Sequence, residues 1–223
     1  DPARVRFNVG KTGDAEADAL AAKGYRIGVP LYHPKNGALV SFQFRLITDP
    51  PPDGPPAKMN LAGSLGGAVF GLPGGIASIG PKDSLLAAEG LTDYLAAAGA
   101  GEIGGEKDGT RVRLIGFPGA GNAKKLPASF AEIISGRSVF LALDRDEAGQ
   151  KNARETAILL LEAKARPYLV RTVAKDLAED LRAAVERGDH PLTALVGLLN
   201  EAGEAGIFDP REPVKLPSED YAA

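Results

Sequence analysis

The sequence predicts an α/β protein: a mostly parallel four-stranded sheet flanked by helices, preceded by a small α+β subdomain that contains an antiparallel hairpin. Three observations carry this expectation. In ALVSFQFRLI, Val40, Phe42, Phe44 and Leu46 alternate with Ser41, Gln43 and Arg45, the period of two expected of a half-buried antiparallel strand. From Ser84 onward, short apolar runs alternate with helical patterns, which implies parallel strands joined by right-handed crossovers. One of those runs, SVFLAL, has no polar interruption and then ends abruptly in Asp144 and Asp146, as a strand covered on both faces would end at a ligand-binding crevice.

Composition sets the bounds. The chain has 223 residues, 44% hydrophobic and 25% charged, enough for one large domain or two small ones. There is no cysteine, which closes off a disulfide framework, a thiolate zinc site and a cysteine nucleophile. No apolar stretch approaches the ~20 residues that span a bilayer, and no signal core follows the amino terminus, so a cytoplasmic protein without membrane contact is expected. The first residue is Asp1 rather than Met, and FDPREPVKLPSEDYAA is Pro-rich and polar like a linker, which suggests a piece of a longer chain. The net charge of −3 is unevenly spread: residues 1–78 carry 8 basic and 6 acidic groups, 79–178 carry 14 and 13, and 179–223 carry 4 and 10. The acidity therefore sits in the tail, and a mildly positive body remains compatible with a phosphate backbone as partner.

Taken in order, DAEADALAAKGY reads as a short helix closed by Gly24. RIGVPLY and ALVSFQFRLI pair around HPKNG, whose Asn-Gly is a hairpin signal. Arg45 shares the polar face of its strand with Ser41 and Gln43, and a solvated face is the plainest reading of that pattern. TDPPPDGPPAK is too Pro-rich for a helix or central strand and reads as an exposed loop leading to Lys58-Met59-Asn60. The Gly-rich AGSLGGAVFGLPGGIASIG lacks the phosphate-loop pattern and reads as turns and short strands bridging two subdomains. SLLAA is the first parallel strand, ending at Glu89-Gly90. LTDYLAAAGA follows as a helix with Leu91, Tyr94 and Leu95 on one face, closed near Gly99. VRLIGF is the second strand, PGAGNAKKLP a loop carrying Lys124 and Lys125, and FAEII a short helix. SVFLAL is the third strand, followed by a helix over EAGQKNARETAILLLEAKA. ARPYLVRTV is the fourth, ending at Lys175-Asp176, and two closing helices complete the fold. The domains expected are 1–78, 79–178 and a closing segment 179–223.

Three of the four strands thus end in acids: Glu89, the pair Asp144 and Asp146, and Asp176. Side chains two apart in an extended chain point the same way, so Asp144 and Asp146 are expected to project together from the strand tip. Aspartates followed by glycine also serve as ordinary polar turns. Clustered carboxylates repel unless a cation is present, and hard oxygen ligands beside substrate phosphates suit Mg²⁺ or Mn²⁺.

Glu89-Gly90-Leu91-Thr92-Asp93 and the Asp-x-Asp-x-x-Gly run Asp144–Gly149 together resemble the TOPRIM domain shared by bacterial and phage primases, topoisomerases and some nucleases. RIGVPLYHPKNGALVSFQFRLI looks like the basic subdomain that precedes TOPRIM in bacterial-type primases, where a hairpin ends in a functional arginine, matched by Arg45. Lys58-Met59-Asn60 is similar to a Lys-aromatic-Leu-Asn element but is shorter and lacks the aromatic residue. GAVFGL and Lys175-Asp176 match further elements in the family's order, so the resemblance covers roughly residues 4–180. It departs at Ala178, where the family places an acid or amide; Glu179 and Asp180 are the candidates to replace it. No zinc-binding module is present. The loop with Lys124 and Lys125 is similar to that of phage and mobile-element primases.

The resemblance implies the TOPRIM-type catalytic core of a DNA primase, from a phage, plasmid or other mobile element. Such a core joins ribonucleoside triphosphates into RNA primers on a single-stranded DNA template by metal-dependent nucleotidyl transfer. It implies Asp144, Asp146 and Asp176 as ligands of Mg²⁺ or Mn²⁺, with Glu89 as a further ligand or the general base. Arg45, Lys58, Asn60, Lys124 and Lys125 would bind nucleotide or template, and a replicative helicase is an implied partner. Two alternatives are a TOPRIM module that binds DNA or a partner without catalysis, and a phosphatase of the haloacid dehalogenase type, which would leave Glu89 idle.

Overall fold

A computed structural model of the protein describes residues 6–7, 13–48, 50, 53–61, 67–104 and 110–211. It divides into two units, Asp1–Ser78 and Ile79–Ala223.

The first unit is built on antiparallel pairing. Alternating side chains on Tyr25–Tyr32 (β2) and Leu39–Leu46 (β3) form the hairpin expected around Asn36-Gly37, with Arg6–Phe7 (β1) on one side and Lys58–Asn60 (β4) on the other, in the order β1-β2-β3-β4. The strand at Lys58–Asn60 extends the hairpin by pairing in register with Gln43–Arg45. Helix Ala15–Ala22 (α1) is capped by Asp14, whose Oδ1 accepts the Ala17 N–H at 2.9 Å. Ala17 and Leu20 of α1 pack with Tyr25, Phe44 and Phe42. On the opposite face the expectation of a solvated strand is corrected: Ser41 is 7% exposed and Gln43 2%. Their cross-strand neighbours are Leu31 and Val29, each 1% exposed, so this face is buried as well and the period-two pattern marks two environments rather than core and water.

The second unit holds the parallel sheet. Its order is β6-β7-β5-β8-β9, formed by Ser84–Glu89 (β5), Ile103–Gly104 (β6), Arg111–Phe117 (β7), Ser138–Ala142 (β8) and Arg166–Leu169 (β9). Four strands run parallel as expected, and β6 adds a fifth, a two-residue antiparallel edge. The centre is almost wholly apolar, with Leu85, Leu86, Ala87, Ala88, Val139 and Leu141 at 1% exposure or less, as two covered faces require. Helices Gly90–Ala100 (α2), Leu177–Glu186 (α5) and Pro191–Ala205 (α6) pack with one another around Leu86, Ala142, Leu181, Leu195 and Leu199. Helix Glu147–Glu162 (α4) packs instead with the 3-10 turn Ala120–Lys125 and with Leu126–Ser129 (α3).

Three boundaries differ from expectation. The helix expected at FAEII lies earlier, in Ala120–Ser129, because Pro127 occupies a first-turn position where its missing N–H is harmless. Phe130 and Ile134 are still buried, so the apolar signal marked packing rather than helix. Helix α2 continues through Gly99 to Ala100, and β9 stops at Leu169. At the amino ends of the strands, the buried Arg137 guanidinium donates to the carbonyls of Ile133, Gly80 and Asp83 at 2.6–2.8 Å, tying the starts of β5 and β8 together. Among the described residues no helix is long and apolar enough to cross a membrane.

Candidate active site

The chain leaves β5 through α2 to reach β7 on one side, then crosses back to β8 on the other side of β5. The carboxyl ends of β5 and β8 are therefore the point where strand order reverses, the place at which open α/β sheets leave a ligand crevice. Glu89 is the last residue of β5 and half-buried; its Oε2 accepts the backbone N–H of Asp144 at 3.1 Å. That bond joins two residues 55 positions apart and sets the carboxylate of Glu89 beside the tip of β8. Gly90 makes it possible for α2 to start at once, because its φ of +81° is a conformation side chains resist.

β8 ends at Ala142, so Asp144 and Asp146 do not share a strand face as the pleat would require; a helix cap holds Asp146 instead. Asp146 caps α4, its Oδ1 accepting the Gly149 N–H at 2.8 Å. The first turn of α4 lies against the backbone of Asp144, and a Cβ on Gly149 would stand 2.0 Å from the Asp144 carbonyl oxygen. Asp176 likewise caps α5, accepting the Glu179 N–H at 2.8 Å. Two of the predicted acids therefore have one oxygen committed to a helix start and one remaining.

The residue that sequence reasoning left without a role is Asp93. It is 4% exposed in the first turn of α2 and accepts the N–H of Ala178 at 2.8 Å, bridging 85 positions of sequence. Burial pushes its pKa up to about 7; the hydrogen bond from Ala178 opposes this, and the charges of Asp176, Asp144 and Glu89 add to it. The acid at the end of Glu-Gly-x-x-Asp, set among the buried Leu91 and Tyr94, was the signal: a carboxylate on the inward face of a helix needs a partner. The structure thus gathers Glu89, Asp144 and Asp176 within electrostatic reach of one buried carboxyl. Among the described residues no group of three or more His, Asp or Glu side chains is drawn tightly enough to hold a metal ion as it stands. The donor chemistry nevertheless fits a hard divalent cation, because the donors are all oxygens and their summed negative charge helps to hold Asp93 near neutrality.

At Ala178 the acid is missing, and the two acids that follow it are hydrogen-bonded to backbone. Glu179 Oε2 accepts the Lys175 N–H at 3.3 Å, and Asp180 accepts the N–H groups of Val173 and Ala174 at 2.8 and 2.7 Å, so both are turned back on the loop before α5. Lys124 forms an ion pair with Glu155 of α4, whose carboxyl is held below its usual range by that hydrogen bond. Lys125 is exposed and donates to Asn122 Oδ1 at 2.9 Å.

In the first unit, Arg45 stands directly opposite Lys58, and Gln43 opposite Asn60, whose Oδ1 accepts the Gln43 Nε2–H at 2.9 Å. Direct cross-strand partners share a face, so Arg45, Lys58 and Asn60 make one polar, basic patch with the buried Gln43 beside them.

No protein-family model and no curated protein matches the sequence. Solved structures do match. The primase fragment of the bacteriophage T7 primase-helicase superposes with a TM-score of 0.53 at 18% identity, over 87% of this chain and 75% of that one. The Aquifex aeolicus primase, zinc-binding and RNA polymerase domains, gives 0.51 at 21% identity over 79% and 40%. A DNA primase domain from Pseudomonas aeruginosa gives 0.50 at 18% identity over 71% and 47%. The fold is that of primase catalytic cores. This chain spans less than half the length of the two bacterial structures.

Proposed function

We propose that this chain is the TOPRIM-type catalytic core of a DNA primase, which joins ribonucleoside triphosphates into short RNA primers on single-stranded DNA. The observation that carries the proposal is the gathering of Glu89, Asp144 and Asp176 around Asp93, at the reversal point of a sheet whose fold is that of primase cores. Asp144, Asp146 and Asp176 would hold Mg²⁺ or Mn²⁺. Bound there, the cation supplies stabilisation for the attacking 3′ oxygen and the leaving pyrophosphate. Glu89, anchored on the Asp144 N–H, presents a carboxylate either to the cation or to the proton of the 3′ hydroxyl. Arg45 and Lys58 would take phosphate, a bidentate fork and a point charge side by side, with Asn60 beside them. Lys125 would extend the phosphate-binding set, whereas Lys124, expected to join it, is paired with Glu155.

The likeness to a phage primase-helicase supports a phage, plasmid or mobile-element origin and a replicative helicase as partner. Incorporation of labelled ribonucleotides on single-stranded DNA tests the reading: the chain should extend primers with Mg²⁺ or Mn²⁺ and stop with EDTA. Binding of DNA without incorporation under either metal would replace the enzyme with a binding module.

A further inference from the structure

Between the two aspartates of the β8 tip stands Arg145, to which nothing above assigns a role. Its backbone N–H donates to the carbonyl of Lys175 at 2.9 Å, and its guanidinium Nη1–H donates to the carbonyl of Val173. Its own carbonyl accepts Gln150 Nε2–H of α4 at 2.9 Å. The loop it reaches, Val173–Lys175, has little apolar anchoring, since Val173 is 57% exposed and Lys175 is exposed. What holds this loop is polar: Asp180 takes the N–H groups of Val173 and Ala174 from the α5 side, and Arg145 takes the carbonyls of Val173 and Lys175 from the β8 side. Asp176 follows immediately and caps α5, so the loop held in this way leads directly into the residue whose carboxylate starts that helix.

We propose that Arg145 is a positioning residue, which sets Lys175 and Asp176 against the Asp144–Asp146 tip by holding the backbone of Val173–Lys175. The proposal rests on the reading of that tip as a metal-dependent site, and the test separates the two. Electrostatics alone makes an opposite prediction: a cation next to carboxylates opposes a second cation, so deleting it should tighten metal binding. Positioning predicts that deletion loosens it.

Mn²⁺ binding to the full chain, followed by electron paramagnetic resonance, should weaken about tenfold in Arg145→Ala, with much of the loss recovered in Arg145→Lys, whose ammonium reaches the same carbonyl with the same charge. In EDTA, amide hydrogen exchange at Val173, Ala174 and Arg145 should quicken in Arg145→Ala and return toward wild type in Arg145→Lys. Equal or tighter Mn²⁺ binding by Arg145→Ala overturns the proposal, and so does unchanged exchange at those amides. A wild-type chain that binds no Mn²⁺ overturns the metal reading instead, and the exchange measurement then decides the clamp by itself.

Discussion

The two units assemble polar surfaces in opposite ways. In the first, Arg45, Lys58, Gln43 and Asn60 come together because antiparallel neighbours stand directly opposite one another, so a local register places them. In the second, Glu89, Asp93, Asp144 and Asp176 arrive from different βα junctions and are stitched by single hydrogen bonds that span 55 and 85 positions. A register built from an antiparallel ladder of backbone bonds tolerates the loss of one side chain. A site built from lone long-range bonds and two helix caps does not, and the two units should therefore respond differently to mutation.

The largest expected effect is at Gly149. A methyl group there meets the Asp144 carbonyl at 2.0 Å, and backbone cannot yield as a side-chain tip can. Gly149→Ala should destabilise the second unit by on the order of 3 kcal/mol or more, visible as loss of its cooperative melting transition, while Arg45→Ala leaves both units folded. An unchanged melting curve in Gly149→Ala would mean that α4 does not lie against the β8 tip.

Charge comes next. Asparagine caps a helix as well as aspartate, so Asp146→Asn keeps the bond to Gly149 and removes only the charge. Nucleotide incorporation should fall at least roughly a hundredfold, with melting unchanged in EDTA. Arg45→Ala and Lys58→Ala, on the register-built surface, should each lower incorporation or template affinity roughly tenfold to a hundredfold. Wild-type rates in Asp146→Asn at saturating Mg²⁺ would remove the metal assignment and leave the basic surface standing.

The same contrast explains what was legible in the sequence. The runs at Leu85–Ala88 and Val139–Leu141 announce buried parallel strands because nothing polar interrupts them, and the period of two around Phe42 and Phe44 announces the hairpin. β4 and β6 are too short to carry a period, at three residues and two, and exist through the pairing of a neighbour. Ser41 and Gln43 read as solvated because alternation reports two faces without saying that one is water. Glu89, Asp144 and Asp176 are visible as acids at run ends, whereas the bonds that position them, Asp93 to Ala178 and Arg145 to Val173, depend on which junctions become neighbours.

Asp93 offers a smaller, pH-dependent test. Its pKa of about 7 when folded lies above the value near 3.8 when unfolded. Folding thus retains a proton between those values. Below about pH 4 the carboxyl is neutral in both states, the folded state loses ground as pH rises to 7, and the full penalty is present above. The substitution Asp93→Asn would mimic the neutral acid and keep an acceptor for the Ala178 N–H. Without metal, the stability advantage of that variant over wild type should be small at pH 4, grow to on the order of 1–3 kcal/mol by pH 8, and shrink when Mg²⁺ is added. A difference that does not vary with pH would show that burial and the neighbouring carboxylates do not raise the pKa of Asp93.

The smallest effect distinguishes the two lysines that follow β7. Lys124 is paired with Glu155, and solvent-exposed pairs of this kind contribute little to stability and are screened by salt. To meet a phosphate, Lys124 must leave a carboxylate behind, so the exchange gains little. Among the described residues Lys125 is held by the neutral side chain of Asn122, and it loses less by turning to a phosphate. Lys125→Ala should therefore weaken single-stranded DNA binding a few-fold and reduce the dependence of log affinity on log salt by roughly 0.7, while Lys124→Ala lowers melting slightly at low salt and leaves that slope unchanged. Equal reductions of the slope in both variants would mean that Glu155 releases Lys124 to the template, and that the pair is a resting contact of a binding residue rather than a strut between the turn after β7 and α4.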